Sequence, residues 1–255
     1  MTPFLSRYLG GEHERVWAEL VALGPRVREE PVASDARAVA RETMRRAKEN
    51  VGRIIARLGH IGYRFELTPR GDDEWRPNPQ VHVPPPADIG ARIAALEAVA
   101  GPLPLALRAW YEVVGSVNLM GRHPAWDERA YPDPLVVEGL EGWRYEYESW
   151  LYYREEDPEW IGPFVLPIAP DYYHKAHVSG GEPYGVELPC AAADAPLVNE
   201  WHETTLVEYL RLCFRWGGFP GWERLDLGQF RGRSLPETAR PTQHLTYLSA
   251  DLLPL

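Results

Sequence analysis

Residues 171–189 read DYYHKAHVSGGEPYGVELP. Two histidines three apart, an aspartate before them, a glutamate after and a double glycine between suggest a metal site, a phosphate loop or a plain hairpin. Strand alternation separates the three. In a strand over 172–178, Tyr172, His174, Ala176 and Val178 point one way, and Tyr173, Lys175 and His177 the other. The two imidazoles then cannot share an ion, and Lys175 adds a repelling charge. Pro170 and the glycines Gly180 and Gly181 leave little room for a helix that would reunite them. A phosphate-cradling turn gives onto a helix N-terminus. Here Tyr184, Val186 and Leu188 alternate with Gly185 and Glu187, as in a half-buried strand. Ser179-Gly180-Gly181-Glu182 therefore reads as a hairpin loop whose glycines supply positive φ. No metal and no cofactor are predicted.

Around this hairpin the chain alternates between helix and strand signals. GPFVLPIAP (162–170) is apolar enough for a central strand. Thr205 and Glu208 have capping-box spacing and open a helix presenting Leu206, Tyr209, Leu210, Cys213 and Phe214, which Gly217 and Gly218 end. Upstream, Asp88 is placed to cap a helix carrying Ile89, Ile93 and Leu96, and Gly101-Pro102 stops it. A second helix opens at Pro104, presents Leu107, Trp110 and Val114, and closes at Gly115. SVNLMG and PLVVEGL follow as short strands.

The first third of the chain is helical in pattern. Ser34 and Asp35 stand ready to cap a helix whose Ala40, Met44, Ala47, Val51, Ile54 and Leu58 share one stripe. Its other faces carry Arg37, Arg41, Arg45, Arg46, Lys48, Arg53 and Arg57, either a solvated surface or a basic binding face. YRFEL (63–67) reads as a strand, and RGDDEWRPNPQVHVPPP (70–86) as a proline-rich boundary. The pattern predicts an α+β fold: a bent, mainly antiparallel sheet with helices packed on one side, preceded by an N-terminal helical extension. The expected divisions are an extension over 1–85, an α+β domain over 86–225 and a tail over 226–255 packed on the core.

A net charge of −10 argues against direct nucleic-acid binding, which needs a basic footprint, and permits a basic protein partner. Cys190 and Cys213, the only cysteines, match no zinc or redox spacing. The opening MTPFLSRYLGGEHERVW has no signal-peptide pattern, and no apolar run is long enough to span a membrane, so a cytoplasmic protein is predicted. Catalytic signatures are absent. Gly115-Ser116 lacks the flanks of a nucleophile elbow, WHETT (201–205) has Leu206 where HExxH needs its second histidine, and GEHER (11–15) has no partner. The carboxylates Asp72, Asp73, Glu155, Glu156 and Asp157 lie in polar contexts. The catalytic alternative is a hydrolase using His174 or His177 with Asp171.

One segment stands apart. EGWRYEYESWLYYREEDPEW (141–160) mixes Glu141, Glu146, Glu148, Glu155, Glu156 and Asp157 with Trp143, Tyr145, Tyr147, Trp150, Tyr152 and Tyr153. Glu138 and Glu159 extend the acidic run, opposed only by Arg144 and Arg154. Aromatic anchors supply binding energy, and carboxylates orient a basic partner. Glu141, Trp143, Tyr145, Glu146, Tyr147, Glu148, Trp150, Glu155, Glu156 and Asp157 are the candidate protein-binding residues. As a strand the segment would place Trp143, Tyr145 and Tyr147 on one face and Arg144, Glu146 and Glu148 on the other.

The order of these motifs resembles the SUKH superfamily, which includes yeast cell-wall-assembly regulators of the Smi/Knr type and many bacterial immunity proteins. ARIAALEAVAGPLP runs into LPLALRAWYEVVGSVNLMG, then DPLVVEGL, FVLPIAPDYYHKAHVSGGEPYGVELP and TLVEYLRLCFRWGGFPGW. The resemblance covers roughly 86–222; residues 1–85 and the acidic-aromatic segment fall outside the pattern. It implies an α+β domain without shared catalytic residues and a role in binding other proteins. The resemblance implies the role of many bacterial members, which neutralise a toxin, often a nuclease; here the expected partner is a basic toxin domain encoded nearby, and a regulatory scaffold without a toxin partner is the alternative.

Overall fold

The computed structural model describes residues 3–67, 76–126, 132–157, 159, 162–176, 178, 180–223 and 241–255. Its organising element is α3 (Val32–His60), 29 residues and so about 43 Å long. The stripe Ala40, Met44, Ala47, Val51, Ile54 and Leu58 is buried along its whole length. Helix α1 (Phe4–Leu9) and a 3-10 turn (Gly24–Arg28) pack against α3, and α2 (His13–Ala22), packed on both, reaches α3 through the Trp17 indole N–H, which donates to the Thr43 hydroxyl at 3.0 Å. Ser34 and Asp35 lie inside the first turn of α3 rather than capping it. Asp35 instead accepts the backbone N–H groups of Phe4 and Leu5, so it caps the neighbouring α1.

The two central helices form where the apolar spacing predicts them. They are α4 (Ile89–Ala100) and α5 (Leu105–Val113), and α5 lies along α3. Pro104 is the residue before α5 rather than its first member. Gly115 ends the turn with φ +93°, and a Cβ there would stand 2.1 Å from the Val83 carbonyl oxygen. Only glycine lets the chain pass so close to a strand backbone.

The described strands form three small antiparallel sheets rather than one bent sheet. β1 (Arg64–Leu67) lies between β2 (Arg76–Pro77) and β5 (Gly121–Arg122). β4 (Ser116–Asn118) lies between β3 (His82–Val83) and β6 (Val136–Val137). β7 (Phe164–Ala169) pairs with β8 (Tyr184–Leu188), and the Glu138 N–H donates to the Ile168 carbonyl at 2.7 Å, joining β6 to β7. From residue 76 onward, the proline-rich connection thus supplies two strands; 70–75 lie outside the described residues.

The 141–160 segment, whose strand reading was conditional, is not a strand: Trp143–Glu156 is a helix, α6. Residues 172–178 are not a strand either, because Tyr172–Lys175 is a helical turn, α7. The hairpin is β7–β8, and Gly180 and Gly181, both at positive φ, lie in its long connection. His177 lies outside the described residues.

Helix α8 (Leu206–Arg215) ends at Gly217 and Gly218, both at positive φ. The expected capping box is absent: Thr205 makes no cap bond and Glu208 bonds Arg211. The buried Asp194 takes the role, accepting the Val207 N–H at 3.0 Å. Of the expected tail, 226–240 lie outside the described residues, while 241–255 contain α9 (Thr242–Ser249). Asn50 exchanges two hydrogen bonds with Leu253, at 2.8 and 2.7 Å. One hydrophobic core runs from Tyr8 to Leu255 and draws on all three expected segments.

Candidate functional site

α6 packs against β7 and the end of α4. Trp143, Tyr147 and Trp150, at positions i, i+4 and i+7, form its inner stripe. Trp143 is buried, whereas Tyr147 and Trp150 are half-buried and close on Phe164 of β7, with ring centroids 5.1 and 5.8 Å away. The Tyr147 hydroxyl donates to the Val99 carbonyl at 3.0 Å, and the Trp150 indole N–H to Gly162 at 3.3 Å. These bonds tie α6 to the end of α4 and the start of β7. Of the ten candidate binding residues, then, Trp143 serves the core, and Tyr147 and Trp150 serve mainly as the seat of the helix.

The outer side is different. Tyr145, Tyr152 and Tyr153 are 72%, 59% and 65% exposed. Glu148, Glu155, Glu156 and Asp157 are exposed beside them and Glu146 is half-buried. Glu141 pairs with Arg92 at 3.3 Å. Among the described residues, Glu146, Glu148, Glu155, Glu156 and Asp157 form no ion pair.

α3 shows how this chain treats charges it needs only for its own surface. Glu42 meets Arg45 and Arg46 at 2.8 and 2.9 Å, and the hydrogen bonds from Arg45 and then Arg46 hold its pKa at about 2. Glu49 meets Arg53 at 2.6 Å, Arg41 reaches Glu112 at 2.8 Å, and Arg57 donates to Leu248 at 3.0 Å. The arginines of α3 thus have acceptors within the molecule. The carboxylates of α6 have no such partners. Glu155, Glu156 and Asp157 also stand at the C-terminal end of the helix, where the helix dipole is negative and opposes them.

Beside this face runs a groove of about 590 Å³ between α6 and the β7–β8 pair. Trp150, Tyr153, Phe164 and Pro167 line it, and Glu146, Glu156, Asp157 and Glu182 supply its carboxylates.

The opening motif folds into something the strand reading missed. Asp171 caps α7, accepting the Tyr173 N–H at 2.7 Å and the His174 N–H at 3.3 Å through Oδ1, while Oδ2 pairs with the half-exposed His174 ring. Gly181 is packed so tightly on this carboxylate that a Cβ would stand 2.6 Å from Oδ1. The two groups of the catalytic alternative thus do meet, but no hydroxyl or thiol among the described residues hydrogen-bonds to His174. Lys175 is fully buried, and its Nζ donates to Asp133 at 2.7 Å and to the Tyr209 hydroxyl at 3.3 Å. Tyr184 donates to the other oxygen of Asp133 at 3.1 Å. Asp133 and Lys175 are 42 positions apart, and no local pattern could have paired them.

A third polar cluster is centred on His202, whose Nδ1 bonds the buried Glu200 at 2.6 Å and whose Nε2 faces Glu223 at 3.2 Å. Burial raises the Glu200 pKa, but the bonds from His202 more than offset it, and the carboxyl lies below its ordinary range. Among the described residues, no group of three or more His, Cys, Asp or Glu side chains is placed to hold a metal ion. No described helix is long and apolar enough to cross a membrane. No protein-family model, curated protein or solved structure matches the chain.

Proposed function

We propose that this chain is a non-catalytic protein-binding module of the SUKH type: a cytoplasmic bacterial immunity protein that neutralises a toxin, a nuclease among the candidates, by covering its basic surface. The observation that carries the reading is the outer face of α6, where three exposed tyrosines stand among carboxylates that have no ion-pair partner in the described molecule. Tyrosines supply contact area at low entropic cost, and unpaired carboxylates speed and orient the approach of a positive partner. The order of sequence motifs over 86–222 supports the same class. A regulatory scaffold of the same fold would use the face in the same way, without a toxin.

The test is co-expression with the product of the adjacent gene. A stable, salt-sensitive complex that protects the host from that product is expected. No complex and no protection would refute the immunity reading.

The paired Asp171 and His174 favour a second reading, hydrolysis with His174 as base. His174→Ala should then abolish a hydrolytic activity while leaving partner binding intact.

A further inference from the structure

The exposed side of α6 carries a repeat as well as a charge. Tyr145, Glu148, Tyr152 and Glu155 follow one another at spacings of three, four and three residues, so they share one stripe of the helix. Tyrosine recurs seven residues after tyrosine, and glutamate seven after glutamate. We infer that this stripe docks along a basic α-helix of the bound protein, one that presents arginine or lysine at every seventh position with an apolar side chain between. The inference rests on the proposed binding role and names the element that fills it.

Three observations converge on such a helix. The first is that the stripe is open. All four side chains are exposed, and Glu148 and Glu155 make no ion pair among the described residues. The cations of α6 itself are turned elsewhere: Arg144, one turn before Glu148, lies 4.6 Å from the Trp143 ring centroid, and Arg154 lies 4.4 Å from that of Trp150. Glu141 continues the spacing, but it stands in the turn before α6 and is paired with Arg92 at 3.3 Å.

The second is the interval. Residues seven apart on a helix stand about 10.5 Å apart along its axis. A partner helix repeats side chains on one face at the same interval. Same-face side chains of a strand recur at about 7 or 13 Å and fall out of step. The third is the chemistry. Alternating spacings of three and four are those of two helices crossing at about 20°, with tyrosines as knobs and charges fixing the register. A cation set against Glu155 also relieves the negative end of the α6 dipole. A second copy of this face would set glutamate against glutamate, so the occupant is a different, basic surface.

The experiment titrates two labelled, capped three-heptad peptides against the full chain, followed by fluorescence anisotropy. One carries arginine at every seventh residue and leucine between, at spacings of three and four. The other has the same composition with those residues spread around the helix, and circular dichroism checks that helix content is matched. The repeating peptide is expected to bind about fivefold more tightly or better. Glu148→Gln/Glu155→Gln should weaken it about tenfold, whereas Glu14→Gln/Glu29→Gln, the same change of charge on the exposed N-terminal segment, should shift it less than about twofold. A thermal melt checks that each variant stays folded. Equal affinity for the two peptides, no binding of either, or equal loss in the two double variants would overturn the inference. A product of the adjacent gene that still binds, and loses affinity with Tyr145→Ala/Tyr152→Ala, would in that event leave the proposed function standing.

Discussion

At the scale of single residues, two buried polar groups hold this fold. Lys175 and Asp133 form an ion pair sealed by Tyr184 and Tyr209, and burial raises the Tyr209 phenol well above its usual range, so it remains neutral. Removing one partner strands the other charge away from water. Lys175→Met should therefore cost about 3–5 kcal/mol in denaturant unfolding, and Lys175→Met/Asp133→Leu should recover part of it. A single variant within about 1 kcal/mol of the parent would show the pair to be solvated. The second group is Asp194. Burial pushes its pKa up to about 6, against the pull of the bonds from Val207, Thr205 and Ala195 and reinforced by nearby Glu208. An unfolded aspartate releases its proton near 4, so between about pH 4 and 6 the native state binds more proton than the unfolded one. This residue's contribution to stability is thus largest below about pH 4 and falls as pH rises through 6, by about 3 kcal/mol. Against Asp194→Asn, which cannot ionise, the parent should lose about that much stability between pH 4 and 7. Parallel stability curves for the two proteins would contradict the assignment.

At the scale of elements, α6 carries a conflict between stability and use. Its last turn holds Glu155 and Glu156, and Asp157 follows, all against the negative end of the helix dipole. Glu155→Gln/Glu156→Gln should raise the unfolding free energy by about 0.3–1 kcal/mol per site while weakening capture of a basic partner. A lower melting temperature in that variant would mean that the two carboxylates stabilise the helix after all. The same helix shows where the sequence was hard to read. Trp143, Tyr145 and Tyr147 alternate with Arg144, Glu146 and Glu148, and over six residues this imitates a strand. The spacing that mattered, Trp143 to Tyr147 to Trp150, appears only over a longer window. Helix α3 was legible because its stripe repeats over five turns without interruption. Asp171 after Pro170 is a helix-start signal, but two β-favouring tyrosines followed it and the stretch read as a strand. Capping by Asp35 and Asp194 was invisible for another reason: each caps a helix that is distant or separated from it in sequence, so no local spacing records the bond.

At the scale of the whole molecule, the charge of −10 is unevenly used. Helix α3 neutralises Glu42 and Glu49 with its own arginines, while α6 leaves Glu148, Glu155 and Glu156 without an ion pair among the described residues, beside exposed tyrosines. A partner drawn by this field should associate more slowly as salt rises from 50 to 500 mM, with dissociation changing less. An association rate indifferent to salt would remove the electrostatic part of the proposal. The α+β architecture and the antiparallel pairing were readable from the order of helix and strand signals. The buried clasp between Asp133 and Lys175 and the groove beside α6 were not, since both join segments brought together only by folding. The most direct test titrates the product of the adjacent gene against the parent protein and a Tyr145→Ala/Glu148→Lys/Tyr152→Ala/Glu155→Lys variant of matched thermal stability. A hundredfold or greater loss of affinity, about 2.7 kcal/mol, is expected if this face is the docking surface. Equal affinity for the two proteins would contradict it.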